Sequence, residues 1–312
     1  MRRLIFGWSR LALVLAAASM SVTMAGCGSA QHRTASASLP ASARAVVSAP
    51  VRVAHTRLGS VGYRVIGTGP PLILITGYTA TMDDWDPRFV GALAEHYRVV
   101  IFDNAGVGRT QRLPTPLTID AMANQTSALI DALGLGRPDV LGWSMGGTVA
   151  QALAVLHPAQ VRRLVLCATF PGTGKVTPPS QAAVQALTSG DVQEVMAELF
   201  PANQAAAQHA HLAATAAYPP HAPAPAAVIA AQGHAMSVWL GGADPAGQKT
   251  NTISAPALIA DGTIDRLDPV ANDHALAHLI RGAALKLYPD AGHAFLFQDE
   301  KTFVALIVAF LH

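Results

Sequence analysis

Three short stretches of the chain hold residue types that could carry out nucleophilic chemistry. The first is Gly142-Trp143-Ser144-Met145-Gly146, a Gly-x-Ser-x-Gly pattern between an apolar run, Asp139 to Gly142, and a helix-like stretch, Thr148 to Leu156. At a strand-to-helix junction this pattern forces a sharp turn. The turn exposes the serine hydroxyl at the positive end of a helix, and glycines flank it because side chains there would collide with neighbouring elements. Ser144 is therefore the candidate nucleophile. A serine hydroxyl needs a base within hydrogen-bond reach, and the base needs an orienting carboxylate. The second stretch, Asp261 to Pro269, offers three carboxylates, Asp261, Asp265 and Asp268. The third ends in Gly292-His293 and offers the base.

These residues need a frame, and the chain provides a rhythm for one from Val51 onward. Val51 to Leu58 and Val61 to Ile66 read as a strand pair around Gly59-Ser60. Apolar runs then recur at Leu72–Ile75, Arg98–Phe102, Asp139–Gly142, Leu164–Ala168, Ala257–Ala260 and Ala284–Tyr288, with helix-like stretches such as Ile119–Leu133 between them. Continuous apolar strands alternating with helices predict an α/β fold, a mostly parallel sheet covered on both faces. Chemistry in such sheets gathers in loops beyond the carboxyl ends of the strands. Residues 171–250 break the rhythm. They hold no convincing strand, many alanines, proline clusters and helical fragments such as Asp191 to Leu199. An insertion of this size predicts a cap or lid. The expected organisation is a core of residues 51–170 and 251–312 with a cap at 171–250.

With three loops in the order Ser, acid, His, the chain resembles the α/β-hydrolase superfamily, specifically its capped esterase- and lactonase-like branch. Gly262-x-x-Asp265-x-x-x-Pro269 matches that family's acid loop and Gly292-His293 its histidine loop. The resemblance implies Asp265 as orienting acid, with Asp268 ranked second, and His293 as base. It also implies an oxyanion hole from the backbone N–H groups of Tyr78 and Met145, where Leu72 to Thr79 occupies the place of the family's His-Gly-x loop. Thr76 replaces the usual histidine there, a change that bears on loop support more than on the hole. Asp103 to Thr110 resembles the family's Asp-x-Arg-Gly-x-Gly-x-Ser loop, with Ala105 in place of arginine.

The implied activity is hydrolysis of carboxylic esters or lactones through an acyl-enzyme, without a cofactor. Serine at the elbow argues against the epoxide- and halide-removing relatives, which carry aspartate there. Cofactor-free haloperoxidase- or perhydrolase-like enzymes and carbon–carbon bond hydrolases share the same triad and stay open. So does a catalytically inactive binding protein on the same fold.

Half the residues, 51%, are hydrophobic and only 13% charged, which favours a large core. The net charge of +2 is scattered and argues for no nucleic-acid partner. Residues 1–26 read as an export signal: Arg2, Arg3 and Arg10 precede an uncharged run from Leu11 to Met24, shorter than the roughly 20 residues a membrane span needs. Met24-Ala25-Gly26-Cys27 resembles the lipobox of bacterial lipoproteins, which implies lipid such as palmitate on Cys27 and anchoring to the outer face of the cell membrane. Residues 27–50, rich in alanine and serine, read as a flexible tether. Cys167, within an apolar run, reads as a core residue rather than a disulfide partner. His209/His211 and His274/His278 have spacings that could bind metal but no indicated third ligand, so no metal is expected. Trp85 and Trp239 could line an acyl pocket, though core packing suits each better.

Overall fold

A computed structural model describes residues 39–312, and the apolar runs become eight strands in it. They are β1 (Arg52–Thr56), β2 (Gly59–Ile66), β3 (Pro71–Ile75), β4 (Arg98–Phe102), β5 (Asp139–Trp143), β6 (Leu164–Cys167), β7 (Ala257–Gly262) and β8 (Ala284–Tyr288). The sheet order is β1-β2-β4-β3-β5-β6-β7-β8. Only the β1–β2 and β2–β4 pairings are antiparallel. From β4 onward every pairing is parallel, as expected for an α/β-hydrolase fold. The buried strands put alternate side chains on opposite faces. Leu72 and Leu74 join one apolar cluster, while Ile73 and Ile75 join the other.

Helices cover both faces. In chain order they are α1 (Ala41–Ser48), α2 (Pro87–Ala94), α3 (Ile119–Ala132), α4 (Met145–Leu156), α5 (Gln181–Thr188), α6 (Val192–Leu199), α7 (Ala205–Thr215), α8 (Ala226–Leu240), α9 (Ala271–Leu279), α10 (Phe295–Gln298) and α11 (Glu300–Leu311). Four of them, α5 to α8, lie within residues 171–250, which contain no strand.

The end of the segment read as a tether departs from expectation. Residues 41–48 form α1, whose Ala43, Val46 and Val47 are buried against the core. Those positions are an i, i+3, i+4 apolar set, short enough to pass unnoticed among alanines. A Cβ on Gly91 of α2 would lie 2.8 Å from the Ala43 nitrogen, so glycine is what lets the two helices meet. Arg64, paired with Asp83 at 2.9 Å, donates to the Ala49 carbonyl and ties down the end of α1. Residues 1–38, including Cys27, lie outside the described residues. No helix among the described residues is long and apolar enough to cross a membrane.

Candidate active site

Strand β5 runs straight into α4 through Ser144, with no loop between them. Ser144 has φ 56° and ψ −124°, a left-handed conformation unusual for a residue with a Cβ. Its N–H donates to the Cys167 carbonyl at 2.9 Å, and its carbonyl accepts from the Thr169 hydroxyl at 2.8 Å. The flanking glycines are obligatory on contact grounds. A Cβ on Gly142 would lie 2.3 Å from the Gly146 carbonyl oxygen, and one on Gly146 would lie 2.0 Å from that of Ile75. The elbow is therefore pressed against β3. It leaves the first N–H groups of α4, Met145 among them, without helical partners.

The acid loop follows β7. Asp265 presents one carboxylate oxygen to His293 Nδ1 at 2.6 Å, and the other accepts from the backbone N–H groups of Leu267 and Asp268 at 2.7 and 2.9 Å. Asp268, the second-ranked acid, faces away. Its carboxylate accepts from Asn272 Nδ2 at 2.8 Å, within a fully buried group with Asp261 and Asp273. Asp265 and His293 are thus a buried pair, to which Asp268 contributes its backbone N–H but not its carboxylate.

His293 is held from several sides. Trp143 Nε1 donates to the His293 carbonyl at 3.0 Å, and Gln298 Oε1 accepts from Gly292 N at 3.0 Å. The Leu199 carbonyl, at the end of α6, accepts from Ala294 N at 3.0 Å and from Gln298 Nε2 at 3.1 Å. Opposite, the loop after β3 places Tyr78 beside the elbow. There too residues 171–250 intervene: the Tyr78 hydroxyl donates to the Ile229 carbonyl at 3.0 Å, and Thr79 N donates to Gln232 Oε1 at 2.8 Å, both partners on α8. The buried Thr76 Oγ1 has no hydrogen-bond partner among the described residues. Asn104 Nδ2 supports the loop instead, donating to the Thr76 carbonyl at 3.0 Å. Gln232, Trp143 and Asn104 were not singled out from sequence. Asp103 ties its own loop to the one after β3, accepting from Arg109 N at 3.1 Å and from Met82 N at 2.9 Å.

Ser144, His293, Tyr78 and Met145 line one cavity of about 540 Å³, part of it open to solvent. Trp85 and Trp239 are fully buried elsewhere; Trp239 donates to the Phe170 carbonyl at 3.1 Å. His211 is buried on Asp86 at 3.2 Å and stacked on Phe297, while His274 and His278 face solvent. Cys167 is fully buried, and burial raises its thiol pKa.

Behind the acid loop, carboxyl oxygens of Asp261, Asp268 and Asp273 lie within 4.8 Å of one another. Burial pushes Asp261 and Asp268 well above the usual carboxylate range and Asp273 up to about 8. An unfolded aspartate titrates near 3.8, so between that pH and about 8 the folded chain keeps a proton on Asp273 that the unfolded chain has released. Stability then falls as pH rises through this window. Asp273→Asn, whose amide mimics the protonated acid, should melt higher than wild type by a margin that widens from about pH 5 to about pH 8. Thermal melts across that range check this, and a pH-independent margin contradicts it.

The sequence profile of the alpha/beta hydrolase fold family matches residues 70–300. The chain belongs to that family. Among alpha/beta hydrolases, it is similar to a protein of Caulobacter sp. (strain K31) provisionally named carbamate hydrolase RutD, 28% identical over 249 residues that cover 77% of this chain and 90% of the relative. A solved alpha/beta hydrolase fold protein from Chitinophaga pinensis is 28% identical with a TM-score of 0.76, covering 85% of this chain and 98% of that one. The enol-lactonase from Burkholderia xenovorans LB400 is 26% identical with a TM-score of 0.66, covering 83% and 99% respectively.

Proposed function

We propose that this alpha/beta hydrolase is a serine hydrolase that cleaves carboxylic esters or lactones through an acyl-enzyme. The observation that carries the reading is the buried Asp265–His293 pair, 2.6 Å apart, whose histidine lines one cavity with Ser144 on its strained elbow. Asp265 accepts a hydrogen bond from Nδ1–H, which favours the neutral tautomer whose Nε2 is free to act as base. Ser144 Oγ attacks the substrate carbonyl carbon while Nε2 takes its proton. The oxyanion gathers donors from the backbone N–H groups of Tyr78 and Met145, each worth about 3 kcal/mol in the transition state. His293 then returns the proton to the leaving alcohol, and water releases the acyl group by the same steps in reverse.

The test is labelling of the full-length protein with a fluorophosphonate. A single adduct should map to Ser144 by peptide mass. Labelling elsewhere, or none with no turnover of p-nitrophenyl esters, removes the reading. Gln232 is a positioning residue in this scheme, because its acceptor fixes the Thr79 amide next to the Tyr78 donor. Gln232→Leu should lower kcat about tenfold or more with little change in KM, the pattern of a loss felt in the transition state. A rise in KM alone would instead place Gln232 in ground-state binding.

We further propose that the protein works at the outer face of the cell membrane, held by lipid on Cys27. The support is the leader and the Met24-Ala25-Gly26-Cys27 motif. Cys27→Ala should move the protein from the membrane to the soluble exported fraction, and unchanged membrane association would count against the anchor.

A further inference from the structure

The cavity beside Ser144 has a second property, which concerns what it can hold. Beyond the four residues named above, its walls are Phe170 and Leu267 from the core with Val184, Leu187, Met236 and Leu240 from the cap, together with Pro179 and Thr188. Among the described residues, no lysine, arginine, aspartate or glutamate lines it. Its two hydroxyls outside Ser144 are already committed as donors. Tyr78 gives its proton to the Ile229 carbonyl at 3.0 Å, and Thr188 gives its own to the Val184 carbonyl at 2.8 Å. Burial raises Tyr78 to about 12, so it stays a neutral phenol. What both hydroxyls still offer is acceptor capacity, which suits no anion.

We infer that the acyl part of the substrate is an uncharged, apolar chain longer than acetyl, seated between α5 and α8 of the cap and the mouth of the elbow. This rests on the ester-hydrolase reading and narrows it. Away from the reacting centre (Ser144, His293 and the Tyr78 and Met145 amides), a carboxylate on the acyl chain would meet no lysine, no arginine and no uncommitted side-chain donor, a desolvation that goes uncompensated. A methylene chain meets leucine, valine, methionine and phenylalanine, and each methylene buried there strengthens binding about fourfold. The cap side chains choose the acyl group, and the core residues act on its carbonyl.

The experiment compares kcat/KM of the full chain for p-nitrophenyl acetate, p-nitrophenyl octanoate and the mono-p-nitrophenyl ester of suberic acid, which matches octanoate in length but ends in a carboxylate. Octanoate should exceed acetate, and the suberate ester should fall on the order of 100-fold below octanoate. Leu187→Arg should shift the suberate-to-octanoate ratio upward by about tenfold or more, as a cation enters the wall. Equal rates on octanoate and suberate esters, or a preference for acetate, overturn the inference while leaving the serine-hydrolase reading intact. A readout independent of turnover uses Ser144→Ala and calorimetric binding of octanamide against suberamic acid. Preferential binding of octanamide supports the pocket even if no ester is hydrolysed, in which case the hydrolase reading alone falls. Equal binding, or none, overturns it.

Discussion

Ser144→Ala is expected to lower kcat on p-nitrophenyl esters about 10⁶-fold, with the melting temperature nearly unchanged. The magnitude follows from the division of labour at the elbow. In the proposed mechanism the hydroxyl oxygen forms the bond, and neither His293 nor the backbone donors can replace it. Folding should tolerate the change because the alanine keeps the Cβ that sits 3.3 Å from where a Gly77 Cβ would be, and because the turn is held by backbone bonds to Cys167 and Thr169. A residual rate on the order of 10³ above water should persist, supplied by the oxyanion donors and by binding. Steady-state kinetics beside a thermal melt decide it: a loss of less than about tenfold would show that Ser144 is not the nucleophile.

The second large effect is expected at Asp265. Asp265→Asn should reduce kcat about 10⁴-fold, since an amide can present its N–H to Nδ1 and trap the histidine in the tautomer that carries its proton on Nε2. Asp268→Asn is the matched control, three residues away in the same loop. Its carboxylate is bound to Asn272 at 2.8 Å and turned into the buried acidic group, so kcat should change less than about tenfold while stability shifts. Kinetics on the two variants separate the acids. Equal losses would mean that the 2.6 Å contact of Asp265 with His293 is not the one that matters.

The two aspartates also mark how far sequence reasoning could reach. Both sit in a loop after a strand, and spacing alone cannot say which one turns toward the histidine. The choice depends on Asn272, whose place one helical turn beyond Asp268 makes it a partner only once α9 has formed. The strands were legible because β3 to β7 are buried on both faces and read as unbroken apolar runs. Helix α4 begins at Met145, three residues before the helix-like stretch, because Gly146 and Gly147 disguise its first turn. The absence of strands from residues 171–250 was legible, but most of their helices were not. Their alanines favour helix without marking a face, and a lone Gln232 within Ala226–Leu240 carries no sign that it will reach across to Thr79.

Residues 171–250 are bonded to both loops that flank Ser144, through Ile229 and Gln232 on one side and Leu199 on the other. One segment therefore braces both loops, so displacing residues 171–250 would remove supports from the Tyr78 loop and the His293 loop at the same moment. Under the proposed mechanism, Ser144 would then be competent only while that segment lies over it.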